Sequence, residues 1–274
     1  MVVSQREKAE RFKALHQRPS IFVMANPWDA VSARVLAGLG FEALATSSGA
    51  CAWTLGRQDG SVTREEALTH ARVIAEATDL PVSADLERCF ADAPEGVAET
   101  IRLAASMGLA GASVEDATSR ADQPLYGIEE AAARVRAAAE AAHGLGFPFV
   151  LTARAEGFLR GNFDIADTIT RLRAYEAAGA DVLMAPGLPD LDAVRVVCAA
   201  LSRPFNFMAG IKGKSFPVAD LAAVGVRRVS LAASLYRAAM TGLVEAAREV
   251  KEAGTLGYLD AALPTSEMNR LMAQ

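Results

Sequence analysis

The chain has 274 residues, 51% of them hydrophobic, and a formal net charge of −5. That balance gives no global electrostatic reason to expect nucleic acid or a membrane surface as partner, and no uninterrupted apolar run reaches the ~20 residues of a membrane helix. Cys51, Cys89 and Cys198 form no CxxC pair, so neither a zinc site nor a disulfide framework is indicated, and reduced thiols in a cytoplasmic protein are the simplest reading.

Residues 1–18 are charged and helix-like rather than signal-like. A strand-then-helix alternation follows. Strands are predicted over 21–25, 43–47, 81–85, 111–115, 147–153, 181–185, 204–207 and 227–231. Helices are predicted over 29–39, 63–77, about 94–107, from about 128 to 142, 164–178, 190–201, near 218–224 and about 233–253. Thr63-Arg64-Glu65-Glu66 fits a capping box, and Val97, Ile101 and Ala104 share one helix face. Residues 48–62 read as a long loop.

Eight strands, each followed by a helix, with no Pro-, Gly- or Ser-rich linker between them, predict one (β/α)₈ barrel domain over 1–274. A doubly wound open sheet is the alternative, but no GxGxxG opens the first helix. Residues 255–274 fall outside the repeat, as a packing or swapped arm or a loose end.

In such a barrel the chemistry lies at the C-terminal strand ends. Strand two ends in Thr46-Ser47-Ser48-Gly49, and its loop carries Asp59. Strand three offers Asp85 and Glu87, strand four Glu115 and Asp116, strand five Arg154 and Glu156, and strand seven Asn206. Carboxylates at the end of a buried strand must be paired, hydrated or bound to a cation, because an isolated buried charge is too costly. Oxygen ligands select a hard cation, Mg²⁺ or alternatively Mn²⁺. Arg154 suits a substrate carboxylate, and the Ser47–Gly49 turn suits a second carboxylate or a phosphonate. The expected chemistry is enolate formation on a small keto or hydroxy diacid, with the cation as Lewis acid.

The bland readings stand beside these. Asp85 with Glu115 is also a possible structural pair, Asp59 a turn residue, and Arg154 with Glu156 a rim ion pair. His16, His70 and His143 all lie in helix-like stretches, which argues against a His-ligated zinc site or a Ser-His-Asp triad. Lys8, Lys13, Lys212, Lys214 and Lys251 all lie outside the strands, which leaves a Schiff-base mechanism without a nucleophile. Gly210–Ser215 only faintly imitates a P-loop, since Met208 stands where the first glycine belongs. Cys89 is read as passive, with substitution for a catalytic thiol as the minor alternative.

Asn26-Pro27-Trp28-Asp29-Ala30, Thr46-Ser47-Ser48-Gly49, Leu55-Gly56-Arg57-Gln58-Asp59, Val82-Ser83-Ala84-Asp85-Leu86-Glu87, Val114-Glu115-Asp116 and Ala153-Arg154 resemble the isocitrate lyase/phosphoenolpyruvate mutase superfamily, in order and over nearly the whole chain. The resemblance implies Mg²⁺ near Asp85, with Asp59, Glu87 and Glu115 helping directly or through water. It implies Asp59, Asp85 and Arg154 as the catalytic group, and Ser47, Ser48, Gly49, Asp85, Arg154 and Asn206 against an α-keto acid or its enolate. It also implies a homotetramer, a dimer of dimers, in which the eighth helix (about 233–253) is exchanged between subunits.

The departures choose among branches. The lyases carry a Lys-Lys/Arg-Cys-Gly-His loop after strand four; here 117–126 contain neither cysteine nor histidine. The loop lysine of the mutases and phosphonopyruvate hydrolases is also missing. Gly187 replaces the glutamate of the methylisocitrate lyases, and Arg88-Cys89 a glycine pair. The expected function is a Mg²⁺-dependent carbon–carbon lyase or decarboxylase on a small α-keto or 2-hydroxy di- or tricarboxylic acid, resembling the oxaloacetate decarboxylase and 2-methylisocitrate lyase branches. Residues 118–126 are read as a lid. A phosphonate enzyme and a non-catalytic keto-acid-binding barrel are the alternatives.

Overall fold

A computed structural model describes residues 3–273. Eight parallel strands close into a barrel in chain order, β1 pairing with β8. They are β1 (Phe22–Ala25), β2 (Ala43–Ala45), β3 (Val82–Asp85), β4 (Gly111–Glu115), β5 (Val150–Arg154), β6 (Val182–Met184), β7 (Phe205–Met208) and β8 (Arg228–Ser230). The surrounding helices are α2 (Ala30–Gly38), α4 (Arg64–Glu76), α5 (Pro94–Ser106), α6 (Ile128–His143), α7 (Ile165–Ala177), α8 (Leu191–Ala199), α9 (Val218–Ala223) and α10 (Ser234–Arg248), with α1 (Gln5–Gln17) ahead of the barrel, α3 (Ser48–Thr54) after β2 and α11 (Thr265–Met272) near the end.

The helix starts follow side-chain chemistry. Thr63 accepts from the Glu66 amide while Glu66 accepts from the Thr63 amide, so the capping box forms. Asp29 does the same with Ser32 at α2. The apolar faces of α5 and α6, with Val97, Ile101, Ala104, Val135 and Ala139, pack on the strands in the main core. Alanine dominates this layer, which lets helices sit close to the sheet.

Three expectations change. The stretch after β2 is not all loop: Ser48–Thr54 is helical, burying Ala50, Cys51 and Ala52. A short apolar run with a serine and glycine at its head looks like a turn in sequence; the packing of these small side chains makes it a helix. Strand five begins at Val150 rather than 147, because Phe147 and Pro148 lie before the ladder. The C-terminal arm is neither loose nor featureless. In α11, Leu271 is buried, and Arg34 of α2 donates to the Met272 carbonyl.

The charged N-terminal helix closes the barrel at its N-terminal end. Ala9, Phe12 and Leu15 cluster with Phe22, Met24, Ala43, Val150 and Val182. Gly111 makes room for it: a Cβ there would stand 2.9 Å from the Phe12 ring and 2.5 Å from the Val150 carbonyl oxygen. At the other end, α10 and the turn of π-helix after it (Glu249–Ala253) bury no residue of their own, and Leu243 and Val244 are exposed.

Candidate active site

A cavity of about 230 Å³ opens at the C-terminal ends of the strands. Side chains alternate along a strand, so alternate residues of each strand line it. Ser83 and Asp85 contribute from β3, Thr152 and Arg154 from β5, and Arg228 and Ser230 from β8. Thr46, Ser47, Ser48, Gly49, Asp59 and Asn206 complete most of its polar wall. Seven of the predicted site residues, Ser47, Ser48, Gly49, Asp59, Asp85, Arg154 and Asn206, therefore share one cavity. Glu87 and Glu115 stand outside its lining.

Asp85 is held in place from several sides. Its Oδ2 accepts from the Ser48 amide at 3.1 Å, its Oδ1 from Arg154 Nη1 at 2.8 Å, and its own amide donates to Thr46 Oγ1 at 2.9 Å. Asn26 donates to the Thr46 carbonyl oxygen at 2.9 Å, which ties strand one to the same turn. Asp59 arrives from the loop after α3 and lies over the turn: a Cβ on Gly49 would come 3.2 Å from its Oδ2. Gly49 thus admits a carboxylate where a side chain would push it out.

Arg154 is caged by carboxylates. Nε meets Glu156 at 2.9 Å, Nη1 meets Asp85 at 2.8 Å and Nη2 meets Glu115 at 3.2 Å. Burial opposes its charge, but Glu156, Glu115 and Asp85 together raise its pKa well above the ordinary value. Guanidinium has five N–H donors, so two remain for a ligand. Burial pushes Glu115 well up from the usual carboxylate range, with Arg154 pulling it back. Arg154 pairs with Glu156 and also lines the cavity.

Glu87 sits in a strained turn. Its φ is +51°, and Cys89 and Phe90 follow at +61° and +54°, a region that costs a non-glycine residue roughly 1 kcal/mol or more. Buried Arg134 of α6 holds this turn, donating Nη2 to the Arg88 carbonyl oxygen at 2.7 Å and Nη1 to that of Ala91 at 2.6 Å. Its guanidinium carbon also lies 4.2 Å from the centre of the Tyr126 ring. Burial, then the charges of Asp85 and Asp59, push Glu87 up to about 7. Its Oε1 is buried without a hydrogen-bond partner.

These residues fit a hard divalent cation bound largely through water. Among the described residues no three Asp, Glu, His or Cys side chains converge into a ready cage. Mg²⁺, however, keeps several waters and needs only one or two carboxylates. Asp85 and Asp59 are the two carboxylates at the cavity wall, and Glu87, outside the lining, keeps a carboxylate oxygen without a partner. The donor set is all oxygen and net negative, as the ion requires.

The neighbouring acid has a different task. Asp116 Oδ1 accepts from the Glu156 amide at 2.8 Å, and its Oδ2 accepts from Arg171 at 3.1 Å and from the Tyr175 hydroxyl. It fastens the end of β4 to α7 and is structural. Cys89 is buried outside the cavity lining, and burial pushes its thiol up to about 12. Residues 119–124, the exposed tip of the expected lid, are fixed at their base by the Ala117–Leu125 bridge and by buried Tyr126. No histidine borders the cavity. Trp53 does, stacked obliquely on Tyr236 at 5.5 Å.

Thr152, Ser113, Arg228 and Ser230 line the cavity without having been singled out from the sequence. Counting back two residues from Arg154 and Glu115 would have found Thr152 and Ser113. Arg228 had no such signal.

Comparison with known proteins follows the same lines. The family described as phosphoenolpyruvate phosphomutase matches residues 12–251. A solved structure from Burkholderia cenocepacia J2315, provisionally described as a lyase/mutase, is 48% identical with a TM-score of 0.96, covering 98% of this chain and 97% of its own. The oxaloacetate decarboxylase of Chromohalobacter salexigens is 29% identical over 256 residues, 91% of this chain and 87% of that protein. The structure of a 2,3-dimethylmalate lyase is 26% identical with a TM-score of 0.87, covering 97% of this chain and 94% of its own.

Proposed function

The chain belongs to the phosphoenolpyruvate phosphomutase family, within the isocitrate lyase/phosphoenolpyruvate mutase superfamily, and on that premise we propose that it is a Mg²⁺-dependent carbon–carbon lyase or decarboxylase. Its substrate is a small α-keto or 2-hydroxy di- or tricarboxylic acid. The observation that carries this reading is the meeting of Asp85, Asp59, Arg154 and the Ser47–Gly49 turn in one cavity. The likeness to an oxaloacetate decarboxylase and a 2,3-dimethylmalate lyase supports the substrate class.

Asp85 and Asp59 hold the cation, with Glu87 and Glu115 behind them. A divalent cation bound there supplies Lewis acidity toward a carbonyl or hydroxyl oxygen of the substrate. Arg154 orients a substrate carboxylate with its two remaining donors, and Ser47, Ser48 and Gly49 border the same group. Asn206 fixes the far side. The glutamates and Arg154 exclude bulk water from behind the reacting carbons, which strengthens every charge interaction in the cavity. Loss of CO₂ from a β-keto acid needs no base to begin, which suits a site without the thiol or lysine of its relatives. Retro-aldol cleavage of a 2-hydroxy acid needs a proton acceptor in addition, and a water beside Glu87 is the candidate.

We further propose a cytoplasmic homotetramer, a dimer of dimers, in which the helix over 234–253 is exchanged between subunits; the exposed Leu243 and Val244 support this. A phosphonate substrate is the second reading, favoured by the name of the matched family and opposed by the lysine-free loop. The test is NMR of the purified protein with oxaloacetate, 2-methylisocitrate, isocitrate, dimethylmalate and phosphonopyruvate, with Mg²⁺ and with EDTA. Product that forms only with Mg²⁺ and intact Asp85 is the expected result. No turnover of any acid overturns the lyase reading, and turnover of phosphonopyruvate alone moves it to the second.

A further inference from the structure

The opposite end of the barrel carries a second opening. A pocket of about 680 Å³ lies at the N-terminal ends of β7, β8 and β1, within the size range of small-molecule sites. Its lining shares no residue with the strand-end cavity. His16 forms part of its wall and meets Arg228 of that cavity, whose Nη1 lies 3.0 Å from His16 Nε2. His16 Nδ1 is 2.7 Å from the Phe12 carbonyl oxygen, which can only accept. The ring proton is therefore on Nδ1, and both ring nitrogens are taken. Leu201, Phe205 and Val224 also line the pocket, and the last two are buried, so its floor is apolar.

The rim is cationic on a chain whose net charge is −5. Arg18, Arg195, Arg203 and Arg227 line the pocket, and no carboxylate does. Three of them enter adjacent strands. The Arg227 amide donates to the Phe205 carbonyl oxygen at 3.1 Å, and the Phe22 amide to the Arg227 carbonyl oxygen at 3.2 Å. Arg18 is matched by Glu42 at 2.6 Å and Arg195 by Asp192. Arg203 and Arg227 form no ion pair among the described residues. Glu176, beside them, accepts from Ser202 and from the Arg203 backbone amide, not from its guanidinium. The one hydrogen bond from either guanidinium runs from Arg227 Nη1 to the Pro19 carbonyl oxygen. Arginines at this end of a barrel commonly serve helix C-termini. Here the Ala200 carbonyl oxygen at the end of α8 is served by Arg173, outside the pocket, at 3.1 Å. Arg203 and Arg227 thus keep free donors over an apolar floor.

We propose that this pocket binds a small phosphate ester, with phosphate on Arg203 and Arg227 and the organic body on Leu201, Phe205 and Val224. Guanidinium forks match phosphate oxygens in pairs, and the ligand supplies the counter-charge that the lining does not. A bare anion would use the rim and leave the apolar floor in water; an ester covers both. The site is separate from the acid-binding cavity and does not depend on what that cavity turns over.

Calorimetric titration with ADP and with inorganic pyrophosphate, in EDTA so that no divalent cation contributes, tests it on the wild type and on Arg203→Gln, Arg227→Gln and Arg102→Gln. ADP should bind the wild type at least ~10-fold more tightly than pyrophosphate, because the floor takes its adenosine. Arg203→Gln and Arg227→Gln should each weaken both ligands about 10-fold, the scale of a lost charge-assisted hydrogen bond. Arg102→Gln, which removes an exposed arginine of α5 far from the rim, should change neither. Should Arg227→Gln lose its fold with the Pro19 contact, Arg203→Gln decides, since that side chain holds no partner. Binding of neither ligand by the wild type, unchanged binding in Arg203→Gln, or equal weakening in Arg102→Gln overturns the site. Pyrophosphate bound as tightly as ADP overturns the ester and leaves an inorganic anion only.

Discussion

Arg154 Nη1 lies 2.8 Å from Asp85 Oδ1, joining the residue proposed to hold substrate to the residue proposed to hold the cation. Neither side chain is free to serve only one role. Asp85→Asn should lower kcat/KM by a factor of about 10³, the scale on which removing one charge-stabilising group acts. Arg154 still keeps Glu115 and Glu156, so the fold should survive with a loss of under ~2 kcal/mol. Mn²⁺ paramagnetic resonance on the variant should show weakened ion binding at unchanged melting behaviour.

Glu87 gives the site a pH dependence. Its folded-state pKa is about 7 against an ordinary 4.5. The folded protein therefore holds this proton more firmly than the unfolded chain. The stability this contributes is fully present below pH 4.5 and is lost as pH rises through about 7. Cation affinity should run the other way, rising across the same window as the carboxylate ionises. Glu87→Gln should flatten both trends, measured as urea midpoints and Mn²⁺ affinities at several pH values.

Gly111→Ala should destabilise the protein by about 3 kcal/mol, because overpacking here meets a rigid carbonyl. Its added methyl would stand 2.5 Å from the Val150 oxygen. Phe12→Ala, which empties the same contact from the other side, should cost about 3–5 kcal/mol. Chemical denaturation of the two variants and the double variant would show strong coupling between them.

Exchange of the helix at 234–253 predicts a concentration-dependent assembly. Sedimentation of the wild type should give a tetramer. Leu243→Asp with Val244→Asp should give smaller species whose far-ultraviolet dichroism still reports an intact barrel. A wild type that sediments as a monomer at all concentrations would refute the exchange.

Much of this was legible in the residues. The barrel followed from eight apolar runs alternating with amphipathic stretches, and every strand formed within a few residues of its expected place. The acids and Arg154 were visible because a charge at the end of an apolar run is conspicuous. What stayed hidden depended on side-chain direction. Glu115 and Asp116 read alike, yet adjacent strand residues point to opposite faces, so one meets Arg154 and the other binds α7. Arg228 stands inside a predicted strand, where a charge looks like an exposed edge. Only barrel closure turns it inward.

The contact between His16 and Arg228 spans 212 residues of sequence. Loop closure over such a separation is among the last steps a folding chain can take. Helix α1 leaves the ribosome before the barrel strands, yet part of its seat is built by the last of them. Phe12 and Leu15 find their apolar partners on earlier strands, but the His16 contact waits until β8 arrives. During synthesis this thirteen-residue helix is therefore fully seated only at the end, and the His16–Arg228 contact is a signature that the barrel has been completed.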